Sequence, residues 1–136
     1  MWKEFYKPII ENHPYTKIKE PAGKEDIASL EKTLGVSIPD ELTSFLLEMN
    51  GDGDCLMGVR EIMEVNTDLR ALDCYMSFEC LLFFARNGCG DYYGYAITKD
   101  GYQNDNIFIW NHEDDSRMWC AKGLKDMIVK VYSDEI

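Results

Sequence analysis

Apolar residues between the start of the chain and Gly35 recur with the spacing of amphipathic helices. The first apolar stripe consists of Trp2, Phe5, Tyr6, Ile9 and Ile10. His13-Pro14 ends it, because the residue before a proline disfavours the α conformation. The second stripe consists of Ile27, Leu30 and Leu34. Gly35 follows it and suits the left-handed position that ends many helices, so the pattern predicts two short helices.

A third helix is predicted after the short extended stretch Val36-Ser37-Ile38. Pro39 is expected to open it, since the first helical position needs no backbone N–H. Asp40 and Glu41 then carry negative charge near the positive end of the helix dipole. The buried stripe of this helix consists of Leu42, Phe45, Leu46 and Met49. Asn50-Gly51 is expected to stop the helix in the left-handed conformation.

After Gly51 the pattern changes to short apolar runs separated by turn residues. Residues 60–72 are expected to form a short helical or irregular stretch. Leu81 to Ala85 has the continuous apolar character of a buried strand, and Asn87 to Asp91 is typical of a tight turn. A second strand, antiparallel to the first, is predicted from Tyr92, Tyr93, Tyr95 and Ile97.

The last part of the chain predicts one further strand and a helix. A turn is expected at Lys99-Asp100-Gly101, followed by a strand over Ile107 to Trp110 and a charged loop over Asn111 to Asp115. The helix is indicated by the stripe Leu124, Met127, Ile128 and Val131. Helices first, then a strand meander, then a helix favour an α+β fold. We expect the N-terminal helices and the C-terminal helix to pack around a central, mostly antiparallel, twisted β-sheet.

Length and composition indicate one folded domain over residues 1–136. The chain has 136 residues, which is the usual size of a single core, and 46% of them are hydrophobic. No run approaches the roughly 20 apolar residues that cross a bilayer. An acid, Glu4, and a proline, Pro8, lie at the start of the chain where a secretory signal would need an uninterrupted apolar run. We therefore expect a soluble, cytoplasmic protein.

Five cysteines are present without a CxxC or a zinc-ligand pair, which fits a reducing compartment. Cys74 and Cys80 are expected to be small apolar fillers of the core.

The net charge limits the classes of partner that the chain is expected to bind. The chain carries 25 acidic against 14 basic residues, a formal charge of −11, which disfavours direct binding of nucleic acid or of an anionic membrane. A negative surface favours a basic protein partner by steering the encounter. An equally good interpretation of the charge alone is that it maintains solubility.

Three segments suggest chemistry that the residues around them do not support. Asp52-Gly53-Asp54 resembles the start of a calcium loop, but its twelfth position is Met63, so a solvated turn is predicted. The glycines around Cys89 precede a strand and lack a P-loop lysine, and no histidine lies near that thiol in sequence. His112 stands beside carboxylates, an arrangement more typical of a loop than of a general base. We expect no enzyme activity, catalytic residue, cofactor or metal.

Acidic and aromatic residues occur together in the second half of the chain. Tyrosine and tryptophan give large contact areas at low entropic cost, and in a negative field they suit arginine and lysine side chains. The candidate partner-binding residues are Asp91, Tyr92, Tyr93, Tyr102, Asp105, Trp110, His112, Glu113, Asp114 and Asp115. Strand alternation between Tyr92 and Ile97 also predicts that about half of the rings there face the core.

The order of motifs resembles that of the SUKH superfamily. The N-terminal half contains Leu30-Glu31, Leu34-Gly35, Ile38-Pro39 and Asn50-Gly51 in that order. The C-terminal half contains Phe83-Phe84 before a glycine-rich turn that ends at Asp91, and Trp110 followed by His112 and Glu113. The resemblance extends from about Pro21 to Tyr132. It implies an α+β fold without enzyme activity, in a family that includes bacterial immunity proteins and fungal regulators of cell-wall and glucan synthesis.

The resemblance and the charge lead to three functional hypotheses. The first is an immunity protein that neutralises a cognate toxin, commonly a nuclease, by direct binding. The second is a non-enzymatic regulatory or scaffold protein similar to the cell-wall regulators. The third is a small hydrolase that uses His112 with Glu113 or Asp115.

Overall fold

The computed structural model describes residues 1–98 and 101–136, and for residues 101–105 it describes the backbone alone. Its helices are α1 (Trp2–Ile10), α2 (Lys24–Leu34), α3 (Asp40–Glu48), α4 (Val59–Arg70) and α5 (Gly123–Tyr132). The four helices predicted from apolar stripes are confirmed. The stretch expected to be helical or irregular is a twelve-residue helix, α4. None of the helices in the described part of the chain is long and apolar enough to cross a membrane.

Helices α2 and α3 end in different backbone conformations. Gly35 ends α2 as predicted, with φ +69° and its N–H donating to the carbonyl of Glu31. In α3, Pro39 is the residue before the first turn, not its first member, and the helix ends at Glu48 with an extended Met49. The predicted left-handed stop at Asn50-Gly51 is therefore wrong. Gly51 has φ +86° for a different reason, since a Cβ there would lie 2.7 Å from the backbone nitrogen of Gly58.

The sheet has four antiparallel strands in the order β1-β2-β3-β4. They are β1 (Leu81–Arg86), β2 (Tyr92–Thr98), β3 (Gly101–Asn111) and β4 (Ser116–Ala121). The predicted α+β fold, with helices flanking an antiparallel sheet, is confirmed. Strand β4 was not predicted, and the charged loop that was expected after β3 is the turn of the β3–β4 hairpin. The predicted turn at Lys99-Asp100-Gly101 lies largely outside the described residues.

Each face of the sheet has its own apolar cluster. The main core joins one face to the helices and includes Tyr6, Leu30, Phe45, Tyr95 and Met127. The second cluster lies on the other face and consists of Phe78, Leu81, Phe83 and Trp110, with Val65 and Leu69 of α4 packed against it. The segment between α4 and β1 covers this second face, because it contributes Phe78 and the half-buried Tyr75. Both faces of the sheet are thus partly or fully buried.

The cysteines are distributed differently from the prediction. Cys74 and Cys80 are exposed, so their expected role as core fillers is wrong. They lie in the segment that crosses the second face, where Phe78 alone points inward with full burial. Cys55 and Cys120 are the buried thiols, and burial raises the pKa of Cys120 to about 11.

Candidate functional site

The two hairpin turns at one end of the sheet are held together by one carboxylate. Asp91 closes the β1–β2 turn and His112 opens the β3–β4 turn. The Oδ1 atom of Asp91 lies 2.7 Å from Nδ1 of His112 and accepts the backbone N–H of His112 at 3.0 Å. Asn87 donates from its side-chain amide to the other oxygen of Asp91 at 3.0 Å. The turns therefore form one continuous surface.

The segment before β1 joins the same surface. The hydroxyl of Tyr75 donates to the carbonyl of His112 at 3.1 Å, and the backbone N–H of Met76 donates to Oδ2 of Asp115 at 2.9 Å. We call residues 75–77, 87–91 and 111–115 together the turn-end surface. Because every one of its three loops is hydrogen-bonded to another, its shape is largely set before any partner binds.

Arg117 neutralises the inner part of the turn-end surface. Its side chain is only 12% exposed and pairs with Asp115 at 3.1 Å. The guanidinium also donates to the carbonyls of Met76 and Ser77, each at 2.7 Å, and lies 4.6 Å from the ring centre of Phe78. Burial would raise the pKa of Asp115, but hydrogen bonds from Met76, Trp110 and Arg117 outweigh it, so the pKa is lowered. Asp115 therefore stabilises the fold through these contacts.

Asp91 is anionic for a related reason. Partial burial would raise its pKa, and the hydrogen bonds from His112 and Asn87 lower it by more. The pKa of Asp114 is lowered mainly by the backbone N–H of Ser116, which donates to its Oδ1 at 2.9 Å. These carboxylates carry full negative charge at neutral pH.

Glu113 and Asp114 are the outward charges of the turn-end surface. Both are exposed, and neither forms an ion pair with any residue that the structure describes. Cys89, at the tip of the neighbouring turn, and the apolar side chain of Met76 are exposed beside them. The surface thus presents unneutralised acids next to a thiol and a methionine.

The structure brings only part of the predicted candidate set to the surface. Tyr93 and Trp110 are 1% and 2% exposed, so they belong to the core and offer no area to a partner. Tyr92 is half-buried and stacks on Trp110 with their ring centres 6.3 Å apart. The side chains of Tyr102 and Asp105 lie outside the described residues.

The remaining candidates, all on the turn-end surface, are Asp91, His112, Glu113, Asp114 and Asp115. His112 pairs with Asp91, on the other hairpin, instead of with the adjacent Glu113 or Asp115 that the hydrolase hypothesis requires. Gly90 packs directly on its ring, where a Cβ would lie 2.9 Å from Nδ1. Nowhere in the described part of the chain do three or more His, Cys, Asp or Glu side chains come close enough to hold a metal ion together.

A buried carboxylate that the sequence did not indicate lies elsewhere in the molecule. Asp52, predicted to be in a solvated turn, is 0% exposed, so that prediction is wrong. The hydroxyls of Tyr6 and Tyr132 donate to its Oδ2, and the backbone N–H groups of Asp54 and Leu56 donate to its Oδ1 at 2.8 and 3.0 Å. Burial raises the pKa of Asp52, although these hydrogen bonds act in the opposite direction. The network ties α1 and α5 to the loop after α3.

An open pocket of about 250 Å³ lies beside this network. Its walls include His13, Asp54, Arg86 and Tyr132. Arg86 is already paired with Glu61, and the imidazole of His13 lies 3.2 Å from the carbonyl oxygen of Tyr132. These two side chains of the pocket are therefore engaged in contacts within the fold.

Comparison with known proteins places the chain in a family. Residues 24–128, more than half of the chain, match the model of the protein family described as SMI1-KNR4 cell-wall, SUKH_6. The match contains the helical motifs, the glycine-rich turn and strand β3 with Trp110. No curated protein matches the chain significantly.

Proposed function

Because the chain belongs to the SMI1-KNR4 cell-wall family of the SUKH superfamily, we propose that it is a non-enzymatic immunity protein that binds and neutralises a basic bacterial toxin domain. The family points to an immunity or a regulatory role and to a protein partner in general. The toxin is proposed to be a nuclease, and the turn-end surface is proposed to be the part that contacts it.

The observation that carries this proposal is the combination of rigidity and unneutralised charge at the turn-end surface. The Asp91–His112, Tyr75–His112 and Met76–Asp115 contacts fix the loops, so little conformational entropy remains to be lost on binding. Glu113 and Asp114 then project negative charge that a basic partner can neutralise. Met76 and Cys89 supply apolar contact beside them.

The charge also explains how binding would inhibit a nuclease. A nuclease groove is positively charged because it holds phosphates. Carboxylates on a rigid end of the sheet would occupy the positions that the phosphates take in this groove, and would thereby exclude the substrate. The net charge of −11 steers the encounter and is screened by salt.

The test pairs this protein with the toxin domain encoded by the adjacent gene. Co-purification, titration calorimetry and rescue of toxin-expressing cells would be measured with the wild-type chain and with Glu113→Lys and Cys89→Arg, one on each turn. We expect a tight complex, and at least a tenfold loss of affinity for each variant, since each places positive charge against a basic surface. Binding should weaken as salt is raised from roughly 0.1 to 1 M.

Asp40→Lys serves as the matched control. Asp40 is exposed at the start of α3, where the neighbouring Glu41 accepts the backbone N–H of Leu124 at the beginning of α5. Since α5 follows the end of β4 that is remote from the 112–115 turn, this position lies away from the turn-end surface. Asp40→Lys changes the net charge by as much as Glu113→Lys does and should not weaken the complex.

Two outcomes contradict the proposal. Several weak partners without rescue of poisoned cells would indicate the regulatory or scaffold role instead. Turnover of a small molecule by the purified protein, abolished by His112→Ala with the fold intact, would revive the hydrolase hypothesis.

A further inference from the structure

The rest of the chain covers the β1 edge of the sheet and leaves the β4 edge without a paired strand among the described residues. On the β1 edge, Asn66 of α4 accepts the N–H of Phe83 at 2.9 Å and donates to its carbonyl at 2.8 Å. Residues 55–57 continue this cover, because the N–H of Met57 donates to Phe84 and the N–H of Arg86 donates to Cys55. Among the residues that the structure describes, no strand pairs with the outer edge of β4.

The outward backbone groups of β4 can be assigned. The N–H of Ser116 is bonded to the side chain of Asp114, and the carbonyl of Cys120 accepts Nζ of Lys130 at 3.1 Å, so neither group bonds to β3. Backbone groups of alternate residues in a strand point to the same edge. The N–H and C=O of Met118, two residues after Ser116 and before the register irregularity that follows Trp119, therefore point to the open edge.

Exposed apolar side chains line the same edge. Met118 is 65% exposed and Trp119 is 51% exposed, which is unusual for large residues in a strand. Trp119 is held in place by its indole N–H, which donates to Asn106 at 3.0 Å, and by Nζ of Lys130, which lies 4.9 Å from its ring centre. An open edge with fixed apolar side chains is a template for another strand.

We propose that this edge binds a second copy of the same chain, with β4 pairing antiparallel to β4 and Met118 opposite Met118 of the second copy. Such an antiparallel pair brings the turn that contains Asp114 near Lys122 of the second copy at both ends of β4. Both residues are exposed, and neither forms an ion pair with another described residue.

The charge pattern supports antiparallel self-pairing. Moving the two-fold axis by one residue is excluded by the backbone, because the N–H and C=O of Arg117 point toward β3. Lys122 and Lys130 lie near the far end of β4, whereas Asp114 lies beyond its near end, so an antiparallel pair brings opposite charges together. The result is a closed dimer with a continuous eight-stranded sheet.

Analytical ultracentrifugation of the whole chain tests this inference. We expect the weight-average mass to rise toward twice that of the single chain between roughly 10 µM and 1 mM, because a single strand pair buries a small interface. Met118→Pro removes an outward N–H, which an edge strand tolerates, and should weaken the dimer at least tenfold. Tyr15→Ala, at an exposed aromatic residue in the connection between α1 and α2, should leave it unchanged.

A charge swap keeps the test decisive should the proline variant fail to fold. Lys122→Asp should weaken the dimer, and combining it with Asp114→Lys should restore it, because each pair joins two copies. A chain that stays monomeric at about 1 mM, or a swap that fails to restore association, overturns the proposal. Amide exchange at Met118 that slows only when a toxin domain is added would also overturn it, since the edge would then receive a strand from that partner.

Discussion

Asp91 and His112 are joined by two hydrogen bonds across neighbouring hairpins, one from the backbone N–H of His112 and one involving its Nδ1, both at the same carboxylate oxygen. The pair makes two separate turns into a single surface. The imidazole of His112 has a structural role in this pair, since it is packed against Gly90 and bonded to Asp91. The nearest arrangement to a catalytic cluster in this chain is thus part of the scaffold that carries Glu113 and Asp114.

The close packing of Gly90 on His112 predicts a difference between two glycines in one turn. Both have positive φ, +80° for Gly88 and +98° for Gly90, so alanine is strained at each by about 1 kcal/mol. A Cβ at Gly88 meets nothing within 4 Å, whereas at Gly90 it would lie 2.9 Å from the imidazole. Urea unfolding should therefore show a larger loss in the free energy of unfolding for Gly90→Ala than for Gly88→Ala. Equal losses would contradict the packing.

The lowered pKa of Asp91 predicts acid sensitivity with a defined sign. Its folded pKa is below its unfolded value, so its stabilising contribution is present above the unfolded pKa of about 3.9 and is lost as the pH falls through the folded pKa. The slope of the unfolding free energy against pH should become shallower in this acidic range in Asp91→Asn. Asp68→Asn, at an exposed position of α4, should keep the wild-type slope. An unchanged slope in Asp91→Asn would contradict the assignment.

Asn66 is predicted to be the most sensitive polar residue of α4. Asn66→Ala leaves the buried N–H and carbonyl of Phe83 without partners, and each such group costs about 1–3 kcal/mol. We expect a loss of about 2–4 kcal/mol in the free energy of unfolding by urea titration. Thr67→Ala, at the next and exposed position, should change it by no more than about 0.5 kcal/mol.

Removing the buried carboxylate of Asp52 should destabilise the fold strongly. Asp52→Ala removes the shared acceptor of two tyrosine hydroxyls and two backbone N–H groups, for which we expect a loss of about 3–5 kcal/mol. Asp54→Ala, two residues away and exposed, is the matched control and should cost less than about 1 kcal/mol. Thermal unfolding followed by circular dichroism measures both. Similar losses in the two variants would show that the network contributes little.

Helices and buried strands were predictable because their apolar positions repeat along the chain itself. The stripe of α3 and the run Leu81 to Ala85 are examples, and all of these residues are buried. Strand β4 was missed because it is an edge strand with exposed Met118 and Trp119, so it lacks the alternation that marks a half-buried strand. The end of α3 was predicted wrongly because Gly51 resembles a helix stop. Glycine is needed at this position because the backbone of Gly58 packs closely against it.

The candidate surface was predictable only in outline. Acidic residues near Trp110 indicated the end of the sheet at which the turn-end surface lies. Sequence spacing could not show that Asp91 pairs with His112 or that Asp115 pairs with Arg117. Tyr93 and Trp110 were named as contacts, yet both lie in the core, because period-two alternation gives a face to each residue without saying which face is covered. The segment 72–80, which covers the second face, carries no periodic signal.

The amino-acid sequence by itself determined four of the five described helices, the hairpin of β1 and β2, the negative charge and the family, because local periodicity, turn chemistry and motif order are properties of neighbours along the chain. Only the tertiary structure decided which polar groups are buried and with whom they pair. Asp52 with Tyr6 and Tyr132, Asn66 with Phe83, and Asp91 with His112 are all separated by many residues. A hydrogen bond depends on distances of about 3 Å between folded elements, and those distances exist only once the core has packed.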